Sequence, residues 1–508
     1  MNARPAEIAV IGAGIAYLAA LGWAIGNVSY DVWGALVVIP VYGAIGFAVV
    51  QRMFRGSLRP LAEVLSWGLL IKLGGVFGRY WVGFEAYDGG IDASRYHDFA
   101  IKAAGKVWSG EQNVVTVLPH GTGTEFLDHF TAFVYTLTGG SQLAGFITFA
   151  FLAYLGTIFI VKAAAIAVPA MAARRYAWMC VLFPSIVYWP SSIGKEAVVL
   201  FGLGIGTYGI AALLTYGRWL SSLVIIGCGL GFVGVIRPHI AGIWVAAIVP
   251  GLVVAFLRGA GSGDLRSQRR KVSKFGLLMV LFIAVVGLSV LAGATIRFLS
   301  PASNDDTIAS TSDSLTLILE DTSRRTGQAG SNFTPPSVSS PANWPYAVAR
   351  TLTRPLPFEA RGVAQLVSAA EMTVLLGIYV LSPRRLANLP KLIVSNPYVT
   401  FAMTALVLTG LAYTSLANLG ILTRQKSLII PFLVLLPCLP ERTPRRPSES
   451  EIRMVGSDDL PATKTREPLY RTPSTSLDSV AKRGREQEFR PAGQTEPRTA
   501  QDMESVWG

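Results

Sequence analysis

The chain has 508 residues, of which 51% are hydrophobic and 15% charged, and it carries a formal net charge of +13. Its mean hydropathy is +0.46, and apolar runs of roughly 18 to 25 residues recur along it, so the chain is too hydrophobic for a water-soluble domain. We therefore predict an all-α, polytopic integral membrane protein with about 12 transmembrane helices. Its three cysteines, Cys180, Cys228 and Cys438, lie in apolar runs, which excludes a disulfide framework and a CxxC metal site.

The predicted spans can be placed in chain order from hydropathy. They lie near 7–26, 32–50, 62–84, 142–168, 176–189, 197–215, 219–236, 240–257, 275–296, 365–382, 397–416 and 426–440. The first run is long enough to be a retained span and lacks the small-residue cleavage site of a signal peptide. Together they make residues 1–440 a polytopic transmembrane domain.

Successive short loops between the predicted spans alternate between many and few lysine and arginine residues. Basic residues near span ends are retained in the cytoplasm. The richer loops include Arg52 to Arg59, Arg174 and Arg175, and Arg384 to Lys391. This alternation predicts a multi-pass protein of the cytoplasmic membrane with both termini in the cytoplasm. It also predicts two long extracytoplasmic loops at about 85–141 and 297–364.

The last segment, residues 441–508, differs in composition from the rest. It is rich in Pro, Ser, Thr and charge, with 12 basic and 12 acidic residues, and has too few apolar residues to bury a core. We predict a disordered cytoplasmic tail. The net positive charge then belongs to the membrane part, where loop retention and anionic membrane lipids explain it without any nucleic-acid partner.

The first predicted outer loop contains "GIDASRYHDFA" at 90–100, where titratable groups are unusually dense. The segment "DASRYHDFAIKAAGKVW" predicts a short helix that Asp92 caps, with Tyr96, Phe99 and Ala103 as an apolar stripe suited to the membrane interface. A capped interfacial helix is one interpretation. The functional alternative makes Asp92 or Asp98 a general base, with Asp92 preferred, and places Arg95 or His97 close enough to bind an anion or tune the carboxylate. The candidates are catalytic Asp92, Asp98 and His97, with Arg95 as the cation.

Three further clusters fall on the same predicted face. In "FPSIVYWPSSIGKEA", Pro184 and Pro190 interrupt an apolar hairpin before Lys195 and Glu196, which either extend to the interface or line a cavity at a broken helix. The other two clusters lie in "NWPYAVARTLTRPLPFEARG" and "NLGILTRQK". The candidate substrate-binding residues of these regions and of "VGVIRPHIAG" are Lys195, Glu196, Arg237, His239, Arg354, Glu359 and Arg424.

The segments "FPSIVYWPSSIGKEA", "RPLPFEA" and "NLGILTRQK" resemble bacterial polytopic glycosyltransferases of the GT-C type and polysaccharide-repeat polymerases. "DASRYHDFA" is similar to the outer-loop carboxylate that such transferases use as a base, although that loop usually follows the first span, whereas here it follows the third. The resemblance covers about a tenth of the chain. It implies a polyprenyl-phosphate-linked sugar donor, a glycan acceptor and a role in cell-envelope polysaccharide synthesis.

A transporter or flippase of lipid-linked saccharides suits about twelve spans equally well, and a non-catalytic partner in envelope assembly is the third possibility. The few charges inside the predicted spans, such as Lys72, Arg79 and Glu371, disfavour ion-coupled transport. No GxxxxGK[ST], GxSxG or HExxH motif occurs. The sequence therefore assigns no metal ligand and identifies no cofactor.

Overall fold

The computed structural model describes residues 5–261, 274–299, 323, 332–338, 340–360 and 362–442, which belong to one compact unit. These residues form helices and one isolated β-bridge, between Asn332 and Asn418, but no strand. The predicted all-α class is thus confirmed for this part of the chain. The predicted tail, apart from 441 and 442, lies outside the described residues, as does much of the predicted loop 297–364.

The helices are numbered in chain order. They are α1 (Pro5–Asn27), α2 (Tyr30–Met53), α3 (Arg59–Trp81), α4 (Asp92–Trp108), α5 (Thr124–Thr138), α6 (Gln142–Ala167), α7 (Ala173–Leu182), α8 (Pro184–Tyr188), α9 (Lys195–Tyr216), α10 (Trp219–Ile236), α11 (Pro238–Gly261), α12 (Lys274–Leu299), α13 (Trp344–Thr353), α14 (Val363–Val380), α15 (Pro383–Leu386), α16 (Leu389–Ser395), α17 (Pro397–Tyr413), α18 (Leu419–Lys426) and α19 (Ile430–Leu433). Short 3-10 turns occupy Gly56–Leu58, Val114–Val117, Pro341–Asn343, Pro357–Glu359 and Leu436–Cys438, and a π turn occupies Val82–Ala86.

Seven helical segments of the described chain are long and apolar enough to cross a membrane. They are Tyr30–Met53, Gly56–Ala86, Gln142–Ala167, Lys195–Tyr216, Trp219–Ile236, Pro238–Arg258 and Val363–Val380. Two bent pairs raise the number to nine if each pair is one span: Pro383–Ser395 with Pro397–Tyr413, and Leu419–Lys426 with Ile430–Cys438. The number of long apolar helices is that expected of a polytopic membrane protein, while a total of twelve spans stays a prediction.

The fifth predicted span, 176–189, is a broken segment rather than one helix. It consists of α7 and α8, of ten and five residues, because Pro184 begins a new helix where Phe183 has extended backbone. Lys72 on α3 donates to the carbonyl oxygens of Ile186 and Val187 at 2.7 and 3.3 Å. These bonds satisfy backbone groups that the break leaves without helical partners.

The contacts define two ends of the helix bundle. At one end, which we call the site end, the Asp31 carboxylate accepts from Gln142 N at 2.7 Å, and Gly123 N donates to the Val235 carbonyl at 2.8 Å. At the opposite end, Arg175 donates to Ser382 at 3.1 Å and Asn396 to the Ala167 carbonyl at 2.9 Å. The chain between α3 and α6 therefore lies at the site end, together with the start of α9 and the end of α10.

Helices α6 and α9 form the centre of the core, where small residues let the backbones touch. A Cβ atom on Gly204 of α9 would lie 2.3 Å from the carbonyl oxygen of Gly156 on α6. On its other side α9 packs as closely against α10 through Gly202, Gly206 and Gly229. Such close helix contacts are typical of membrane bundles, in which packing rather than water exclusion holds helices together.

Candidate functional site

Helix α4 spans the residues that the sequence predicts, 92–108, but its cap and its buried face differ from the prediction. Ile91 is the N-cap and provides no side-chain cap, so the prediction that Asp92 caps the helix is wrong. The buried face consists of Ala93, Tyr96, Ala100 and Ala104, which pack against α5, while Phe99 is exposed. Burial raises the pKa of Tyr96 to about 12.

Asp92 is the first residue of α4 and faces a distant part of the chain. Its Oδ2 lies 2.6 Å from Nη1 of Arg424, in the last turn of α18. Asn418 caps the start of α18 by accepting from Ile421 N at 3.1 Å, which fixes where this short helix begins. The Asp92 side chain is 61% exposed and that of Arg424 28%, so this ion pair remains open to a ligand.

Glu196 is the buried centre of the site. Its side chain is only 2% exposed, and its two oxygens bind different arginines: Oε1 lies 2.7 Å from Arg237 Nη2, and Oε2 lies 2.8 Å from Arg424 Nη2. Because two guanidinium groups compensate this carboxylate inside the protein, Glu196 does not extend to the membrane interface. Arg424 thereby bridges the buried Glu196 and the exposed Asp92.

Two cations of this site can each donate a further hydrogen bond. Nη1 of Arg237 is buried and has no hydrogen-bond partner among the described residues. Lys195 Nζ donates to Thr124 Oγ1 at 2.6 Å and has no ion-pair partner within the described chain. A buried donor without a partner is rare in proteins and points to a water or ligand. We call Asp92, Lys195, Glu196, Arg237 and Arg424 the Arg424 network.

The Arg424 network contains three cations and two carboxylates, so its formal charge is positive by one. Its members come from four elements: α4, the start of α9, the residue after α10, and α18. Cations held beside a solvent-open carboxylate can bind a phosphate group while the carboxylate accepts a proton. His239 lies two residues beyond Arg237, in the first turn of α11, and is half-buried.

The other candidates on α4 have different partners. Arg95 forms an ion pair with Asp128 of α5 at 3.0 Å, and His97 Nδ1 lies 2.8 Å from the Tyr135 hydroxyl. Burial lowers the pKa of His97, although nearby Asp31 and Asp98 oppose this change. Asp98 is exposed and makes no ion pair with the residues described, so the structure brings it into neither group.

Arg354 and Glu359 form a separate ion-pair group. Arg354 Nε and Arg350 Nη2 bind the same oxygen of Glu359 at 3.0 and 2.5 Å, and the Arg354 guanidinium stacks over the Phe333 ring. Lys426 donates to the backbone carbonyl of Arg354, which ties this group to α18. The Arg354 side chain is thus committed to structural contacts.

Several partners escaped the sequence predictions. Asp128, Thr124 and Tyr135 all lie on α5, whose amphipathic pattern appears plainly in "TEFLDHFTAFVYTLT" but which the predictions treated only as part of a long loop. Glu371 of α14 accepts from the backbone N of Ser185 at 3.1 Å and so binds the break between α7 and α8. The contact between these helices could not be read from the sequence.

A cavity of about 790 Å³ opens between α2 and α3, lined among others by Gln51, Arg59, Glu63 and Trp67. It lies beside the first half of α3, and no member of the Arg424 network lines it. The cavity is therefore separate from that network.

Comparison with protein-family models, with curated proteins and with solved structures finds no match to this chain.

Proposed function

We propose that this chain is an integral-membrane glycosyltransferase or glycan polymerase of cell-envelope synthesis that uses a polyprenyl-phosphate-linked sugar donor. The Arg424 network is the proposed site, located on the extracytoplasmic side of the cytoplasmic membrane. The observation that carries the proposal is the position of Arg424, whose guanidinium holds a buried carboxylate through one nitrogen and an exposed one through the other.

The proposed reaction needs a base and an anion site next to each other. The acceptor hydroxyl gives its proton to Asp92, its oxygen forms a bond to the sugar C1, and the bond from C1 to the phosphate oxygen breaks. The electron pair of that bond goes to the phosphate, whose growing charge needs cations. Arg424 and Lys195 are the proposed phosphate ligands, and the partnerless Nη1 of Arg237 is a further donor.

Glu196 and Arg237 have a positioning role in this scheme. Glu196 is buried and has an arginine at each carboxylate oxygen. It therefore fixes the orientation of the Arg424 guanidinium plane at the bottom of the site. A donor phosphate that binds Arg424 Nη1 takes the place of the Asp92 carboxylate. Asp92 is then released to act as a base only when the donor is bound.

The experiment measures sugar transfer in membrane vesicles supplied with a panel of polyprenyl-phosphate-linked and polyprenyl-diphosphate-linked sugars. Asp92→Asn removes the base and is expected to lower transfer by about a hundredfold or more. Arg424→Lys loses the two-sided contact and is expected to raise the KM for donor. Asp98→Asn decides between the two carboxylates, since a loss confined to that variant would move the base to Asp98.

Asp88→Asn is the charge-matched control. Asp88 is exposed in the same loop, and its positive φ of 46° is one that asparagine tolerates, so its removal tests a general charge effect. Near-normal transfer by Asp92→Asn and Arg424→Lys at normal expression would refute the site.

A transporter of lipid-linked saccharides is the second candidate, because broken helices and buried charges are features of transport sites. Glu371 and Lys72 are buried beside the break between α7 and α8. Both bind backbone groups of that break, which gives them a structural task. If the wild-type protein moves the labelled lipid across vesicles but transfers no sugar, this second function replaces the first.

A further inference from the structure

Three side chains near the start of α5 converge on one point. Glu125 and His129 are four residues apart on α5 and so lie one turn apart on the same face. His120 precedes the helix and folds back over it through Gly121, whose φ is +75°. We call His120, Glu125 and His129 the His120 cluster.

The loop is shaped around the Glu125 side chain. The positive φ of Gly121 favours glycine, and a Cβ atom there would lie 2.5 Å from Glu125 Oε2 and displace that side chain. One ligand atom from each of the three side chains lies within 4.8 Å of the others, and the two imidazole centroids are 3.6 Å apart.

The hydrogen bonds of the rings leave nitrogen lone pairs available. His120 Nδ1 lies 2.8 Å from the Leu118 carbonyl oxygen, which can only accept, so Nδ1 carries the proton and Nε2 is free to bind a metal. Metal-binding histidines usually make this kind of backbone contact through the second nitrogen. Nδ1 of His129 is buried and has no hydrogen-bond partner in the described chain.

We propose that the His120 cluster binds one divalent transition-metal ion, with Zn²⁺ the best match. Two imidazoles and one carboxylate provide three ligands and leave a fourth position open for water or substrate. Ligand atoms around a four-coordinate Zn²⁺ lie about 3.4 Å apart, at bond lengths of about 2.1 Å. His120 and Glu125 are exposed, so rotation of their side chains can close the present separation of up to 4.8 Å.

The metal site lies next to the Arg424 network without depending on it. Thr124, whose hydroxyl binds Lys195, directly precedes Glu125. Metal binding is measured without turnover, so the outcome does not depend on the proposed transferase activity.

The test uses the full chain in detergent, purified without a polyhistidine tag and with Cys228→Ser to remove the exposed thiol. After chelation and dialysis against ZnCl₂, metal is counted by mass spectrometry, and Co²⁺ is added separately to read its visible absorption bands. We expect one Zn²⁺ per chain, no comparable binding of Mg²⁺ or Ca²⁺, and a Co²⁺ spectrum with nitrogen ligands.

The variants identify the ligands. His120→Ala and His129→Ala should each weaken Zn²⁺ binding about a hundredfold or more and remove the Co²⁺ bands, and Glu125→Gln should weaken binding less. His97→Asn is the control, since His97 lies on α4 and binds Tyr135 instead. The His120→Ala protein keeps its core because His120 is exposed. The proposal would be overturned if micromolar Zn²⁺ bound at well below one ion per chain, or if the His120→Ala protein bound Zn²⁺ as well as the wild type.

Discussion

Two carboxylates bind the same arginine in very different surroundings. Glu196 is buried and has an arginine at each oxygen, whereas Asp92 is mostly exposed and has only Arg424. A buried charge depends on its partners, since removing one partner leaves the others uncompensated, while an exposed pair contributes little to stability. Glu196 is therefore a structural partner of Arg424, whereas the exposed Asp92 is the one for which we propose a functional role.

The first prediction concerns stability at this residue pair. Glu196→Ala leaves Arg237 and one side of Arg424 buried without a carboxylate, and we expect it to lower the free energy of unfolding by about 3–5 kcal/mol. Asp92→Asn, the matched control, should change it by no more than about 1 kcal/mol. Thermal and denaturant unfolding of the purified variants in detergent would check this, and equal effects of the two changes would contradict it.

At the scale of elements, α9 connects the centre of the core to the Arg424 network. It packs through glycines against α6 on one side and α10 on the other, so its backbone lies in contact with both neighbours. It also starts at Lys195 and Glu196, which places two members of the Arg424 network at its first turn. Packing in the core and the geometry of the site are therefore linked through one helix.

The second prediction follows from this packing. Gly204→Val places a side chain where even a Cβ lies 2.3 Å from the Gly156 carbonyl, so α6 and α9 must separate. We expect a loss of folded, monodisperse protein and a lower thermal midpoint in size-exclusion and unfolding assays. Gly227→Val on α10 is the control, because nothing lies within 4 Å of its Cβ position. Similar yields of both variants would show that the contact is dispensable.

At the scale of the whole molecule, the two ends of the bundle bring together different sets of charged residues among those described. The Arg424 network lies at the site end, as does the His120 cluster, whereas Arg175 and Arg385 bind backbone and side-chain groups at the opposite end. Arg174 lies 3.6 Å from Glu63 near the start of α3, and Arg175 donates to Ser382 just before α15. Three of the described loops with many basic residues therefore share this end, while the side of the membrane that it faces stays a prediction.

The last prediction tests which side faces outward. In a Cys228→Ser background, Ser109→Cys at the end of α4 should react with an impermeant thiol reagent added to intact cells. Ser57→Cys, at the other end of α3, and Ser474→Cys should react only after permeabilisation. Labelling of Ser57→Cys and not Ser109→Cys would invert the orientation, and labelling of Ser474→Cys from outside would contradict a cytoplasmic tail.

Much of this architecture follows from local patterns. Apolar runs of span length predict the long helices, and Pro184 predicts the break in the fifth predicted span, because backbone preferences and hydropathy act over a few neighbouring residues. The pattern of α4 likewise predicts a helix, although its buried face is set by α5 and so differs from the predicted stripe.

The sequence by itself determined the all-helical class and which segments carry chemistry-bearing residues, because those properties depend on nearby residues. Only the tertiary structure decided the partners: Asp92 and Arg424 are separated by 332 positions, and no local pattern predicts that they meet. It also decided that Glu196 is buried between two arginines and that His120 folds onto α5. Ion pairs and ligand sets depend on which helix ends pack together, and that is fixed by the backbone contacts of distant helices.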